Sequence, residues 1–143
     1  AEAGNDAAVD AFAAPDPLHD AIDARFEALP LEARETLAAA SILGRSFWRF
    51  ALERVLGHDA EEGLQKARHG GWILEREGSL MRADGELLFR HDLLREAAES
   101  SLAPGAPQQL HAVAAAFYEQ RAPLAGPATA ARAAWHRAEA ARA

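Results

Sequence analysis

Cysteine is absent from the 143 residues, which excludes disulfides, thiolate metal sites and a cysteine nucleophile and fits a reducing compartment. Valine and isoleucine are scarce, so an extensive sheet is disfavoured. Aromatic residues make up only 7% of the chain. No apolar stretch approaches the length of a membrane span, and the first residues lack the basic start and apolar block of a signal peptide, so a cytoplasmic setting is expected. Positive charge is also in deficit. The formal net charge is -7, and the few basic residues form no cluster, which opposes binding to nucleic acid or an anionic membrane.

Chemical motifs are missing too. There is no GxxxxGK[ST] phosphate loop, no GxGxxG after a strand and no HExxH. The six histidines, at 19, 58, 69, 91, 111 and 136, are scattered without metal-site spacing. Ser100-Ser101 has no GxSxG context. The expectation is a chain without an active site of its own.

Half of the residues are hydrophobic, and much of that fraction is alanine, which favours helices. The fold expected is mainly α. Ala1 to Pro17, rich in Ala, Asp and Gly, reads as a linker over 1–16. Leu18, Ile22 and Phe26 repeat every four residues and predict a helix that stops near Pro30. A second helix is expected from Leu31 to Leu43 with Gly44 as its stop. Ser46 reads as the N-cap of a third, carrying Phe47, Phe50, Ala51, Val55 and Leu56 and ending at Gly57. A fourth opens at Asp59, with Glu62 three residues on in the manner of a capping box, and ends at Gly70-Gly71.

From Trp72 the period changes. Trp72-Ile73-Leu74, Leu80-Met81 and Leu87-Leu88-Phe89 are short apolar runs separated by Glu77-Gly78 and Asp84-Gly85, and Asp-Gly between such runs signals a hairpin. A helix from Asp92 to Leu102 follows. Helices, then a hairpin, then a helix is the order of a winged helix over 31–103, with 17–30 as a connecting helix. Beyond Pro104-Gly105-Ala106-Pro107, two further helices are expected, from Gln108 to Gln120 and from Ala128 to Arg142, with Pro123 to Pro127 as the turn. This Ala-rich pair over 104–143 reads as the first unit of a helical repeat. Trp135, Phe117 and Tyr118 suit either a core or a contact face.

The most informative stretch is Leu87 to Leu102, LLFRHDLLREAAESSL. Its apolar run ends on His91-Asp92 where a helix opens, so the pair lies beside unpaired N–H groups and a positive dipole end. Such a joint suits an anion such as phosphate. On spacing alone the commoner reading is a helix merely capped, or charge-complemented, by Asp92, with a structural histidine beside it.

Several phrases in order resemble a known family. Pro17 to Trp48 is similar to the segment after the nucleotide-binding domain of bacterial STAND signalling ATPases, with Arg25, Leu29 and Pro30 followed by Leu43-Gly44-Arg45-Ser46-Phe47. The stretch LLFRHDLLREAAESSL resembles the Phe-x-His-x-Leu-x-x-Glu phrase of those proteins and the Met-His-Asp motif of NLR-type switches, with Arg90 in place of Met. Leu110-His111 with Ala114, Ala115 and Glu119, and then Ala134-Trp135-His136, are similar to the helices that follow in ATPase-linked LuxR-type transcription regulators and nucleotide cyclases. The chain departs from the pattern near Glu99 and Ser100, where an aromatic is usual, and at Gln108 and Gln109, where an arginine usually precedes Leu110.

This resemblance implies a non-catalytic lid cut from a larger ATPase. It would pack on an upstream nucleotide-binding domain and pass the nucleotide state to downstream helical repeats, and it admits a homo-oligomer of the parent. His91 would contact the ADP phosphate, with Asp92 orienting it or capping the helix, and Arg90 would be a second phosphate contact. ATP or ADP with magnesium would belong to the parent; no cofactor or metal is expected in this chain. The rival expectations are a DNA-binding winged helix and a protein-interaction module. Recognition of DNA would fall to Asp59 to His69, where Asp59, Glu61 and Glu62 stand against Lys66 and Arg68, the wrong balance for a groove.

Overall fold

A computed structural model describes residues 16–76 and 86–142. The chain is mainly helical with a small antiparallel sheet. Helix α1, Pro17–Glu27, begins where the Asp16 carboxylate accepts the N–H groups of Leu18 and His19. Proline at its first position has no N–H to leave unpaired. Helix α2, Leu31–Ser41, is the axis of the fold: Ala33 and every residue from Thr36 to Ser41 are buried. It packs on α3, Arg49–Leu56, on α4, Glu61–His69, and on α5, Asp92–Ser100. Between α2 and α4 the backbones meet at Gly63. A Cβ there would lie 1.9 Å from Thr36 Oγ1 and 2.8 Å from the Glu32 carbonyl oxygen, so only glycine permits this approach.

Strand β1, Ser46–Trp48, pairs with β3, Glu86–Phe89, which also pairs with β2, Ile73–Glu75, in the order β1-β3-β2. The run α2-α3-α4-β2-β3-α5 follows the order of helices, hairpin and helix expected from the sequence, with β1 added between α2 and α3. Strand β1 is a correction, because Ser46 does not cap a helix: Ser46 pairs with Leu88 and Phe47 with Leu87. The helix starts at Arg49 and ends at Gly57, whose φ of 85° supplies the left-handed C-cap. A second correction concerns α4. Ala60 is its N-cap residue, its N–H donates to the Glu53 carboxylate, and Asp59 accepts instead from the N–H of Glu61, so the Asp59/Glu62 capping box does not form. The Leu80-Met81 run and the Glu77-Gly78 and Asp84-Gly85 turns lie outside the described residues.

Alternation along β3 turns Leu87 and Phe89 inward. Phe89 meets Phe47 with ring centroids 5.7 Å apart, and Trp72 meets Phe26 edge-on at 5.5 Å. These rings, with Leu37, Ile42 and Leu52, form an apolar core.

Helix α6, Ala106–Ala125, folds back on α7, Pro127–Ala140, through Gly126 alone. The turn expected over Pro123 to Pro127 is thus shorter. Helix α6 continues through Pro123, which falls in its last turn and costs a single interior hydrogen bond. The pair rests on the remainder chiefly through α3 and α6. Phe117 and Tyr118 belong to the core, whereas Trp135 is 51% exposed.

Candidate functional site

The joint at His91 is built by the central strand of the sheet. Phe89 donates its N–H to the Arg45 carbonyl at 2.9 Å, and Arg90 donates to the Trp72 carbonyl at 3.0 Å, so β3 is held on both flanks up to the residue before His91. The chain then turns into α5. His91 is extended, with φ -150° and ψ 145°, and is itself the N-cap: its Nδ1 accepts the Leu93 N–H at 3.2 Å. An accepting Nδ1 carries no proton, so the neutral ring holds its hydrogen on Nε2 and retains it for another acceptor. Both Arg90 and His91 are exposed.

Asp92 occupies the first helical position, where a carboxylate complements the dipole. It does not supply the cap that the sequence suggested. Arg95 binds it at 2.9 Å and also binds Glu99 at 2.8 Å. The hydrogen bond from Arg95 holds the Asp92 carboxyl below its ordinary pKa, with a smaller contribution from the charge of Arg45.

Arg45 comes from the other end of the sequence pattern. Its Nε donates to the Phe89 carbonyl at 3.4 Å and its Nη2 to the Arg90 carbonyl at 3.3 Å. The Gly44-Arg45 and Arg90-His91-Asp92 phrases therefore meet in space. The product is an exposed pair of arginines and a histidine at a helix N-terminus, beside Asp92, which Arg95 engages and which Glu96 also approaches. Chemically it can donate hydrogen bonds to an anion.

A second histidine constellation was not read from the sequence. His111 on α6 and His136 on α7 place their Nδ1 atoms 2.8 Å apart, and both rings are buried. One Nδ1 must carry the proton and the other accept it. His136 stacks on Tyr118, with planes 7° apart, and meets Trp135 edge-on. Burial, reinforced by the charges of His111 and Arg132, lowers the His136 pKa to about 4. Burial also lowers that of His111, against the opposing pull of Glu139 and Glu99. The available signal was helical phase: His111 shares a buried stripe with Ala114, Ala115 and Tyr118, and His136 lies three residues after buried Ala133. Among the described residues no group of three or more His, Asp or Glu side chains is placed to hold a metal ion.

Comparison with protein-family models, with curated proteins and with solved structures finds no match to this chain.

Proposed function

We propose that this chain is a non-catalytic regulatory segment of a STAND-type signalling ATPase, a winged-helix lid that senses nucleotide through His91 and passes its state to a helical region. The observation that carries this reading is the meeting of Arg45, Arg90 and His91 at the start of α5. In the resting protein, His91 Nε2–H and the Arg90 guanidinium donate to an ADP phosphate held by an upstream nucleotide-binding domain. Asp92 is drawn to Arg95, and Arg45 fixes the strand end from which His91 projects. A contact made in the ADP form alone biases the lid toward closure. The phosphate loop and magnesium ligands belong to the upstream domain, so the 143 residues alone neither hydrolyse nor tightly hold nucleotide. The setting is cytoplasmic; no described helix is long and apolar enough to cross a membrane.

The test is His91→Ala in the full-length protein. ADP release is expected to quicken by about tenfold, the worth of one charge-assisted hydrogen bond, and basal output to rise. Unchanged ADP affinity with unchanged output overturns the sensor role.

DNA binding is disfavoured by how α4 spends its cations. Lys66 binds Glu32 and Glu62, and Arg68 binds Glu75. A gel shift at low salt checks this, and salt-sensitive duplex binding would reverse the ranking. A protein-interaction role on the helix pair is favoured by one observation, the exposed Trp135; it is compatible with a lid whose partner contacts α7.

A further inference from the structure

Helix α7 is fastened at few points. It packs chiefly on α6, is joined to it through Gly126 at φ 94°, and of its described side chains only Ala133 and His136 are buried. Alanine contributes little area, so the fully enclosed imidazole of His136 is the anchor of the helix. His111 meets it across the 2.8 Å contact between Nδ1 atoms, and Tyr118 stacks on its ring. The ion pair of Arg137 with Glu119 of α6 is exposed and adds little.

Such an anchor is intolerant of charge. One Nδ1–H fills the space between the two rings, so a second proton cannot enter there without driving them apart. Whichever ring donates, a proton gained elsewhere on the pair makes a buried cation. On His136 the remaining nitrogen, Nε2, has no hydrogen-bond partner among the described residues to receive an N–H. The charges that bear on the pair come from α7 and α5: Arg132 opposes a proton on His136, while Glu139 and Glu99 draw one toward His111. Arg142 engages Glu139, and Arg95 engages Glu99. In the winged helix the buried polar side chains are Thr36 and Ser41, which do not titrate.

We propose that the helix pair is a proton-operated clasp: uptake of protons by the His111–His136 pair undocks α7 from α6 about Gly126 while the winged helix stays folded. Undocking returns each imidazolium to water, which the closed interface denies it. Because α7 leans chiefly on one neighbour, it opens as a local unit and does not carry the rest of the chain with it. The open state bares His111 and Tyr118 on α6. This device is independent of the His91 joint and of nucleotide, and it decides whether that face of α6 is covered.

The chain has no cysteine, so Gln120→Cys with Ala138→Cys, both at exposed positions, places a unique pair of spin labels on α6 and α7. Electron paramagnetic resonance reads the distance between them. As pH falls from 6.5 toward about 4, a short, narrow distance should give way reversibly to a longer, broad one. Over the same range the nuclear magnetic resonance signal of the Trp72 indole, in the winged-helix core, should keep its folded position. His136→Gln, which takes up no proton, should hold the short distance throughout. His136→Phe is a second neutral replacement should the amide fail to dock at neutral pH, which the same distance reports. A distance that never lengthens, a Trp72 signal lost in the same step, or an identical transition in the neutral variant that docks overturns the clasp.

Discussion

The winged-helix unit and the helix pair bury opposite kinds of interior. Around α2 the largest buried side chains are Trp72, Phe47, Phe89, Leu37, Ile42 and Leu52, whereas the α6–α7 interface is made of alanines, Tyr118 and two histidines in contact. An interior of hydrocarbon is indifferent to protons. One built on imidazole holds only while the rings stay neutral. The two halves of one chain should therefore fail under different insults, close packing governing the first and pH the second.

The largest expected effect falls on the winged helix. Gly63→Ala drives a Cβ against the Thr36 side chain and the Glu32 carbonyl. Since backbone cannot yield as a flexible side-chain end does, the loss should reach the upper end of about 1–3 kcal/mol for overpacking, read by urea unfolding at neutral pH. A neutral result would mean that α2 and α4 separate freely, and the contrast in packing would fail.

Acid should act on the other half. Both imidazoles bind protons less readily folded than unfolded, so the unfolded chain takes up more protons as pH falls from the ordinary histidine value of 6.5 toward about 4. Stability is full above that window and declines through it, by about 2.5 kcal/mol at a pH near 4.5 for His136 alone. Circular dichroism with urea at neutral and acid pH measures the loss. His136→Phe should remove most of the pH dependence, and an identical acid loss in that variant would break the comparison.

The smallest effect belongs to Trp135→Ala. Half its surface already faces solvent, so the loss of stability should stay below about 1 kcal/mol. A larger loss would make its contacts with His111 and His136 part of the core; a small loss with weakened partner binding would favour a contact face.

The parts of this architecture that local chemistry decides were legible beforehand. Gly57 ends α3, Pro17 starts α1, and Leu87 to Phe89 reads as a strand before α5. What escaped depends on partners distant in sequence. Ser46 followed by Phe47, Phe50 and Ala51 has a helical signature, but the first three residues of that run pair with Glu86 to Leu88, some forty positions away. The capping box at Asp59 lost to Glu53, which reaches Ala60 from the preceding helix. At the candidate site, the phrase around His91 marked the joint correctly as a strand-to-helix turn. Its cap was misread because an imidazole can accept from a helix N–H as a carboxylate does. Neither the clasp of Arg45 nor the meeting of His111 with His136 could be seen from spacing alone.

Because β3 lies in the middle of the sheet and Arg45 spans its last carbonyls, His91 stands on a post braced from both sides. A load applied to the imidazole cannot peel away one strand without rupturing bonds on each flank. Through β1 the sheet adjoins α3, the helix on which α6 rests.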